Sequence, residues 1–193
     1  MLNDRGNGSV ADLLAALDWL LVNHATYQVR VANISLGKSV DDPLVDDPLV
    51  QAVDALVDAG VVAVVSAGNY GRDGHFTITS PANSPKVITV GSITDSGTGT
   101  DASDDYVSTY SSRGPTGFDQ YLKPDLIAPG NRYIAAESYE AQLKIDLPDR
   151  LVDCGLDICS GSYLELSGTS MAAAMVSGAA AWMISEDPTL NPA

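Results

Sequence analysis

The sequence has little positive charge and no apolar run long enough for a membrane span. Its 193 residues include 10 Lys and Arg against 25 Asp and Glu, for a formal net charge of −15. Nucleic acids and anionic membranes are polyanions, so we expect neither as a partner. The apolar stretch at residues 171–184 falls short of the ~20 residues that a spanning helix needs. This balance suits a soluble protein in a salty or extracellular setting.

Cysteine and histidine are also scarce, with two of each in the chain. Cys154 and Cys159 have four residues between them and no histidine close in sequence, so a metal site would lack ligands. A small disulfide ring is the favoured interpretation, worth about 2 kcal/mol by loop-closure reasoning. Two free surface thiols are the alternative. An oxidised pair would indicate a secreted protein.

Helical and strand patterns alternate along the first half of the chain. Apolar residues recur at helical spacing after Ser9, an expected N-cap, and after Asp47, which stands before a proline at the first helical position. A short strand follows each helix. The second strand, at residues 61–65, is wholly apolar, as expected when both faces of a sheet are covered. The order predicts one α/β domain over residues 1–193 with a mainly parallel sheet.

The second half of the chain is less regular. A third strand is predicted at residues 87–90 and a polar loop at residues 91–105. Residues 138–162 carry the least pattern, and we interpret them as a variable surface insertion. Residues 171–184 are apolar on every side of a helix, which is typical of a buried helix.

Ser170 stands among small residues at the start of that apolar helix. In a first helical turn, unpaired N–H groups and the positive end of the dipole favour negative charge. That position suits a hydroxyl that attacks as a nucleophile and passes through an anionic intermediate. Serine also begins core helices routinely, and on this stretch alone the structural interpretation of Ser170 is favoured.

Asn69 follows the wholly apolar strand on a turn with Gly68. A side-chain amide there can point into a cleft and donate to an oxyanion; a plain turn residue is the alternative. Residues 68–71 also suggest a phosphate loop, but no Gly-Lys-Ser/Thr follows them. The serine motif matches an esterase elbow only in part, because Ala172 replaces the second glycine of that motif.

Taken in order, five motifs resemble those of the subtilisin-like serine peptidases. They are residues 33–37 (Asn-Ile-Ser-Leu-Gly), 66–69 (Ser-Ala-Gly-Asn), 110–115 (Tyr-Ser-Ser-Arg-Gly-Pro), 123–130 (Lys-Pro-Asp-Leu-Ile-Ala-Pro-Gly) and 167–172 (Ser-Gly-Thr-Ser-Met-Ala). Each motif is moderately specific, and five in the family's order leave little room for coincidence. The resemblance covers nearly the whole chain. It implies a three-layer α/β/α domain with a mainly parallel sheet, of which this chain is the C-terminal part.

The resemblance also assigns roles to residues. Ser170 would be the nucleophile of a serine endopeptidase, with Asn69 as side-chain oxyanion donor and the backbone N–H of Ser170 as second donor. Residues 35–37 and residues 66–68 would form the two walls of the pocket for the residue before the scissile bond. Residues 6–8 would pair with the substrate backbone as an added strand. The residues implied to bind substrate in these ways are Gly6, Asn7, Gly8, Ser35, Leu36, Gly37, Ser66, Ala67, Gly68 and Thr169.

The resemblance implies no cofactor for the chemistry itself. A weak cation site built from carbonyls near Ala82, Ser84 and Val87 is implied by analogy, so the parent protein could hold structural calcium. A polypeptide substrate and a secreted or extracellular location are implied in the same way. Tyr70 and Thr79 are candidates for shaping the pocket.

The family's catalytic aspartate and histidine motifs do not occur in this sequence. Both should precede the oxyanion segment, and no Asp-Ser/Thr-Gly after an apolar strand and no His-Gly-Thr is found. His24 falls at a predicted helix end and His75 in a loop, so neither is expected to be the base. Ala174 also stands where the family usually has proline. We therefore expect a domain truncated at the N-terminus and also at the C-terminus, inactive without its missing N-terminal part.

Two main hypotheses follow. The first is an endopeptidase whose aspartate and histidine come from an upstream segment. The second is a degenerate subtilisin-like domain with a binding or structural role. Retention of both Ser170 and Asn69 favours the first, because a binding module needs neither. A different acyl hydrolase is a weaker third hypothesis, because the other motifs are specifically subtilisin-like.

Overall fold

The computed structural model describes residues 8–98, 101–138, 141–153 and 162–192. Its helices are Val10–Asn23 (α1), Pro48–Asp58 (α2), Gln142–Asp146 (α3) and Thr169–Glu186 (α4). Its strands are Val31–Ile34 (β1), Val62–Ser66 (β2), Ile88–Thr94 (β3), Tyr106–Val107 (β4), Leu126–Pro129 (β5), Tyr133–Ala136 (β6), Leu151–Asp153 (β7) and Ser162–Leu166 (β8). In these ranges no helix combines the length and hydropathy needed to cross a membrane.

The centre of the fold is a five-stranded sheet. β1 pairs with β2, β2 with β3 and β3 with β5, all in parallel, while β4 adds to β3 in the antiparallel direction. A separate antiparallel sheet has the order β6-β8-β7. The predicted mainly parallel sheet is confirmed. Parallel neighbours bring the carboxyl ends of β1 and β2 to one edge, which is where ligands bind in sheets of this kind.

Helices cover both faces of this sheet. On one face α2 packs against β2 and α1 packs against α2, with Leu17, Leu56 and Val65 in one core cluster. On the other face α4 packs against β2 and β3, with Val64 and Ala172 in a second cluster. Full burial of such an aliphatic side chain contributes about 1.5–3 kcal/mol. The three-layer α/β/α architecture is therefore present, and it explains why all five residues of β2 are buried.

Both predicted helix starts are confirmed by their caps. The hydroxyl of Ser9 accepts the N–H of Asp12 at 3.1 Å, and the carboxylate of Asp12 accepts the N–H of Ser9 at 3.0 Å. The hydrogen bonds from Ser9 hold the pKa of Asp12 below its ordinary value. At α2 the carboxylate of Asp47 accepts the N–H of Leu49 at 2.9 Å, with proline next in the chain. Each cap satisfies N–H groups that a helix leaves unpaired at its start.

The predicted loop over residues 91–105 is wrong at its start, because β3 continues to Thr94. Gly91 and Ser92 look like loop residues in sequence, but both are buried and pair with β5. A β carbon on Gly91 would come within 3.0 Å of the side chains of Pro124 and Ile127. The strand uses small residues here because its neighbours pack directly over it.

The expectation that α4 is buried on every side is also wrong for the chain as described. Ala172 and Ala173 are fully buried against the sheet, whereas Trp182 is 68% exposed and Met183 is 58% exposed. The sheet covers one side of the helix, and beyond it the hydroxyl of Tyr133 in β6 contacts the sulfur of Met175 at 2.9 Å. An apolar helix face is thus left open to solvent.

The predicted insertion at residues 138–162 is only partly described. It contains the short helix α3 and strand β7, which pairs with β8 just before the serine motif. Cys154 and Cys159 lie outside the described residues. Their pairing, and the surface position of the segment as a whole, stay predictions.

Candidate active site

The predicted catalytic residues meet where β1 and β2 end and α4 begins. β1 ends at Ile34 and β2 at Ser66, so the residues that follow lie at one edge of the sheet. α4 starts at Thr169 against the same edge. The structure brings together Ser35, Gly68, Asn69, Thr169 and Ser170.

The segment predicted to pair with substrate falls mostly beyond the described ranges. Gly6 and Asn7 lie outside the described residues. Gly8 is exposed and lies immediately before the N-cap of α1. The substrate-pairing role of these three residues stays a prediction.

Ser170 is the second residue of α4 and is half-buried. Its hydroxyl donates to the backbone carbonyl of Ser35 at 3.2 Å, and the hydroxyl of Ser35 donates to the carbonyl of Ser170 at 3.0 Å. Its backbone N–H belongs to the first turn, where no intrahelical acceptor exists. Gly168 precedes the helix without a side-chain cap, so no side chain of the N-cap shields that turn.

Asn69 is exposed in the loop that follows β2, and its side-chain amide has a defined orientation. Its side-chain oxygen accepts the backbone N–H of Thr169 at 3.0 Å and the hydroxyl of Thr169 at 3.1 Å. A backbone N–H can only donate, so the acceptor must be the amide oxygen and the amide nitrogen is left to donate elsewhere. That nitrogen lies beside the start of α4, 3.5 Å from where a β carbon on Gly168 would be.

Thr169 supports the site from beneath and is only 1% exposed. Its hydroxyl oxygen accepts the N–H of Gly68 at 3.2 Å, and its proton has the side-chain oxygen of Asn69 as an acceptor. Gly68 has φ +104, which favours glycine, and a β carbon there would also come within 2.7 Å of Thr79. Thr169 was predicted to bind substrate, and that role stays a prediction; at this burial its hydroxyl contacts Gly68 and Asn69.

We predict that Thr169→Val lowers kcat about tenfold with little change in KM, because it removes one hydrogen bond to Asn69 and leaves the Gly68 N–H unpaired. Steady-state kinetics on a peptide substrate would measure the changes in kcat and in KM separately. Thr169→Ser keeps the hydroxyl and should retain most of the activity. Equal losses in the serine and valine variants would contradict the role of the hydroxyl.

The scaffold motifs at residues 110–115 and 123–130 hold the serine loop against the sheet. The N–H of Gly168 donates to the carbonyl of Gly130 at 2.9 Å, and the hydroxyl of Tyr110 donates to the same carbonyl at 3.0 Å. A β carbon on Gly130 would come within 2.7 Å of both the Gly168 carbonyl and the Ser92 hydroxyl. Only glycine fits this approach, which sets the position of the serine loop.

Neither histidine is positioned as a base for Ser170. His24 closes α1, and its Nδ1 lies 2.8 Å from the carbonyl of Leu21. His75 lies in the loop after Asn69, with its Nδ1 3.1 Å from the carbonyl of Gly114. His24 thus contacts the last turn of its own helix, and His75 contacts the motif at residues 110–115.

The sequence pattern gave Thr79 little weight, yet its side chain fills the space between the two predicted pocket walls. Its N–H and hydroxyl both donate to the carbonyl of Ala67, at 3.1 and 3.3 Å. A β carbon on Gly37, in the facing wall, would come within 2.8 Å of the Thr79 hydroxyl oxygen. On Gly68 it would come within 2.7 Å of the Thr79 methyl group. The only sequence signal was the pair of glycines, whose close approach to one side chain cannot be seen without the fold.

The walls themselves offer mainly backbone. Ser66 and Ala67 are buried, Leu36 is half-buried against the core of α1 and α2, and Gly37 is exposed. Below them, Lys38 and Ser80 exchange two backbone hydrogen bonds of 3.0 and 2.9 Å. These bonds close the lower end of the space between the walls.

Comparison with known proteins agrees with this fold. The model of the subtilase family matches residues 1–193. Serine protease AprX of Bacillus subtilis (strain 168) is 36% identical, covering 100% of this chain and 42% of that protein. An extracellular serine proteinase of Thermus sp. (strain Rt41A) is 33% identical, covering 100% of this chain and 36% of that protein. The crystal structure of a cold adapted subtilisin-like serine proteinase superposes with TM-score 0.66 at 27% identity, covering 100% of this chain and 54% of that one.

The chain therefore belongs to the subtilase family. The family resemblance carried by the five motifs is confirmed, and so is the subtilisin-like fold. The chain spans between about a third and a half of the length of the relatives named here.

Proposed function

We propose that this chain is part of a serine endopeptidase that cleaves peptide bonds through an acyl-enzyme on Ser170. The observation that carries the proposal is the arrangement of Ser170 and Asn69 at the start of α4. The amide oxygen of Asn69 is held by the N–H of Thr169 at 3.0 Å, one residue before Ser170. This leaves the amide nitrogen to donate at the start of α4, near Gly168 in the loop that leads into Ser170. The relatives named as serine proteases support the same reaction.

In the proposed reaction the Ser170 oxygen attacks the carbonyl carbon of the scissile bond and loses its proton to a base. The oxygen of the tetrahedral intermediate then accepts from the Asn69 amide and the Ser170 N–H. Collapse releases the amine, which takes up the proton, and leaves an acyl ester that water hydrolyses. The helix dipole at the first turn of α4 favours the negative charge at this point.

The base is the part that this chain does not provide. The Ser170 hydroxyl donates to the Ser35 carbonyl at 3.2 Å, and a backbone carbonyl cannot take up a proton near neutral pH. We propose that an N-terminal part of the same domain supplies a histidine that replaces this carbonyl as acceptor, together with an aspartate that orients it. Without that part the chain should be inactive.

The open face of α4 is the proposed contact for that N-terminal part. Met175, Trp182 and Met183 are exposed there, although the helix is apolar around its circumference. The chain spans 42% of AprX, so a relative of that length has enough further residues to cover the face. Burying these side chains would stabilise the assembled domain and align the base with Ser170.

We propose that the substrate pocket prefers a small residue before the scissile bond, because Thr79 occupies the space between Gly37 and Gly68. Thr79→Gly should raise kcat/KM for leucine or phenylalanine at that position about tenfold or more, relative to alanine. A set of peptides that differ only at this residue would measure the ratio. Thr77→Gly, two residues earlier on the same segment, should leave the ratio unchanged. Equal ratios in the wild type and the Thr79 variant would contradict the pocket assignment.

The reaction itself is tested on the longest natural protein that carries this chain. We expect it to cleave an internally quenched peptide and to react with a fluorophosphonate probe. The 193-residue chain alone should do neither. A folded long protein that neither cleaves nor reacts would contradict the proposal and favour a non-catalytic binding or structural domain. A secreted location is proposed as well, on the name of the Thermus relative.

A further inference from the structure

Lys123 carries a buried positive charge far from the catalytic serine in sequence. Its side chain is 3% exposed, and the ammonium donates to the backbone carbonyl of Val87 at 2.9 Å and to the carboxylate of Asp125 at 2.6 Å. An ammonium is expensive to bury unless it is paired with a charge and hydrogen-bonded. Both conditions are met here, so the surroundings of Lys123 are arranged to hold a positive charge.

One of these two acceptors, the carboxylate of Asp125, also belongs to a network of hydrogen bonds between β3, β5 and the turn before β3. The carboxylate oxygen of Asp125 that contacts Lys123 also accepts the N–H of Thr89 at 2.7 Å. The hydroxyl of Thr89 donates to the carbonyl of Ala82 at 2.6 Å. Lys123 therefore joins the turn at residues 82–87 to the start of β5 through one central charge.

This is also the turn whose carbonyls resemble a family cation site, and the residues present do not fit one. Calcium needs six to eight oxygen ligands at about 2.3–2.6 Å. Of the carbonyls implied, that of Ala82 is engaged by a hydroxyl and that of Val87 by the Lys123 ammonium. A divalent cation on the Val87 carbonyl would share that ligand with an ammonium and be repelled by it.

We propose that the Lys123 ammonium is a built-in cation that takes the place of a structural metal ion at this turn. The positive charge that would otherwise come from solution is supplied by the chain itself, through Val87 and Asp125. Asn83 in this turn donates its backbone N–H to the carbonyl of Thr79 at 3.1 Å, so the junction also supports the residue between the pocket walls. The proposal concerns stability and metal binding, and it stands or falls independently of peptidase activity.

The test measures thermal unfolding and bound calcium in the longest natural protein that carries the chain. Lys123→Met should lower Tm by about 5 °C, because two charge-assisted bonds are lost. Lys86→Met is the matched control: this lysine also bonds a carboxylate, that of Asp58 at 2.7 Å, but its side chain is 43% exposed. Its loss should change Tm by no more than about 1 °C.

The calcium measurements separate a built-in cation from an ordinary buried ion pair. Lys123→Ala, which empties the position, should bind one more calcium per chain than the wild type in equilibrium dialysis. Its Tm should also rise more between EDTA and millimolar calcium. In the wild-type background, Asp125→Asn should leave the amount of bound calcium unchanged.

Three results would overturn the proposal. The first is loss of one calcium on Asp125→Asn, which would place a metal ion beside this carboxylate in the wild type. The second is a Lys123→Ala variant that gains neither bound calcium nor a calcium-dependent rise in Tm. The third is a Lys123→Met variant no less stable than the Lys86 control. The Asp125 measurement keeps Lys123 in place, so it can overturn the proposal even if the Lys123 variants fail to fold.

Discussion

Replacing Ser170 with alanine in the longest natural protein is expected to lower kcat about a millionfold, the magnitude known for the nucleophile of a subtilisin. The substitution removes the only oxygen proposed to attack the scissile carbonyl, so no acyl-enzyme can form. Reaction with a fluorophosphonate probe should disappear in parallel. Stopped assays on an internally quenched peptide, with mass spectrometry of the labelled protein, would measure both.

Ser177→Ala is a suitable control for that variant. Ser177 lies two turns further along α4, and its hydroxyl donates to the carbonyl of Ala173 at 2.8 Å and contacts Asn33 at 3.0 Å. It tests the loss of a serine from the same helix that hydrogen-bonds to none of the five residues brought together at the site. Its activity and labelling should resemble those of the wild type. Labelling that persists in Ser170→Ala would mean that another serine is the nucleophile.

Asn69→Ala is expected to lower kcat by about 10²–10³ with little change in KM, the range known for the same donor of a subtilisin. The amide nitrogen meets the substrate oxygen fully only once that oxygen carries negative charge. Its loss therefore raises the barrier without weakening substrate binding in the ground state. Steady-state kinetics on a peptide with a small residue before the scissile bond would separate the effect on kcat from the effect on KM. A large rise in KM with unchanged kcat would contradict the oxyanion role.

The coupling between Asn69 and Thr169 gives a sharper test of the same arrangement. Thr169 is proposed to act through Asn69, whose amide oxygen accepts both its N–H and its hydroxyl. In the Asn69→Ala background, Thr169→Val should therefore cause little further loss of kcat. Fully additive losses would mean that Thr169 contributes independently of the amide.

Much of the fold was predictable because the signals are local. The capping box at the start of α1 involves Ser9 and Asp12, which are only three residues apart. Asp47 before a proline specifies the start of α2 by an equally local signal. The wholly apolar run before Ser66 requires cover on both faces wherever it lies. The order of the motifs predicted that Ser170 and Asn69 belong to one site, and the hydrogen bond of 3.0 Å between Asn69 and Thr169 agrees.

Other features depend on what packs against a residue, and a pattern in one segment cannot report that. The strand at Gly91 and Ser92 resembles a loop until β5 lies beside it. The apolar residues of α4 predicted a buried helix, but Trp182 and Met183 on that helix are exposed.

The sequence by itself determined the helix caps, the apolar β2 and the family motifs, and it predicted Ser170 as the nucleophile and Asn69 as its oxyanion donor. Only the tertiary structure decided that Thr79 stands between the glycines of two walls, and that the ammonium of Lys123 lies on the carbonyl of Val87. The reason is distance along the chain. Caps and amphipathic patterns arise among neighbours in sequence, whereas a filled pocket and a buried charge are made by segments that only folding brings together.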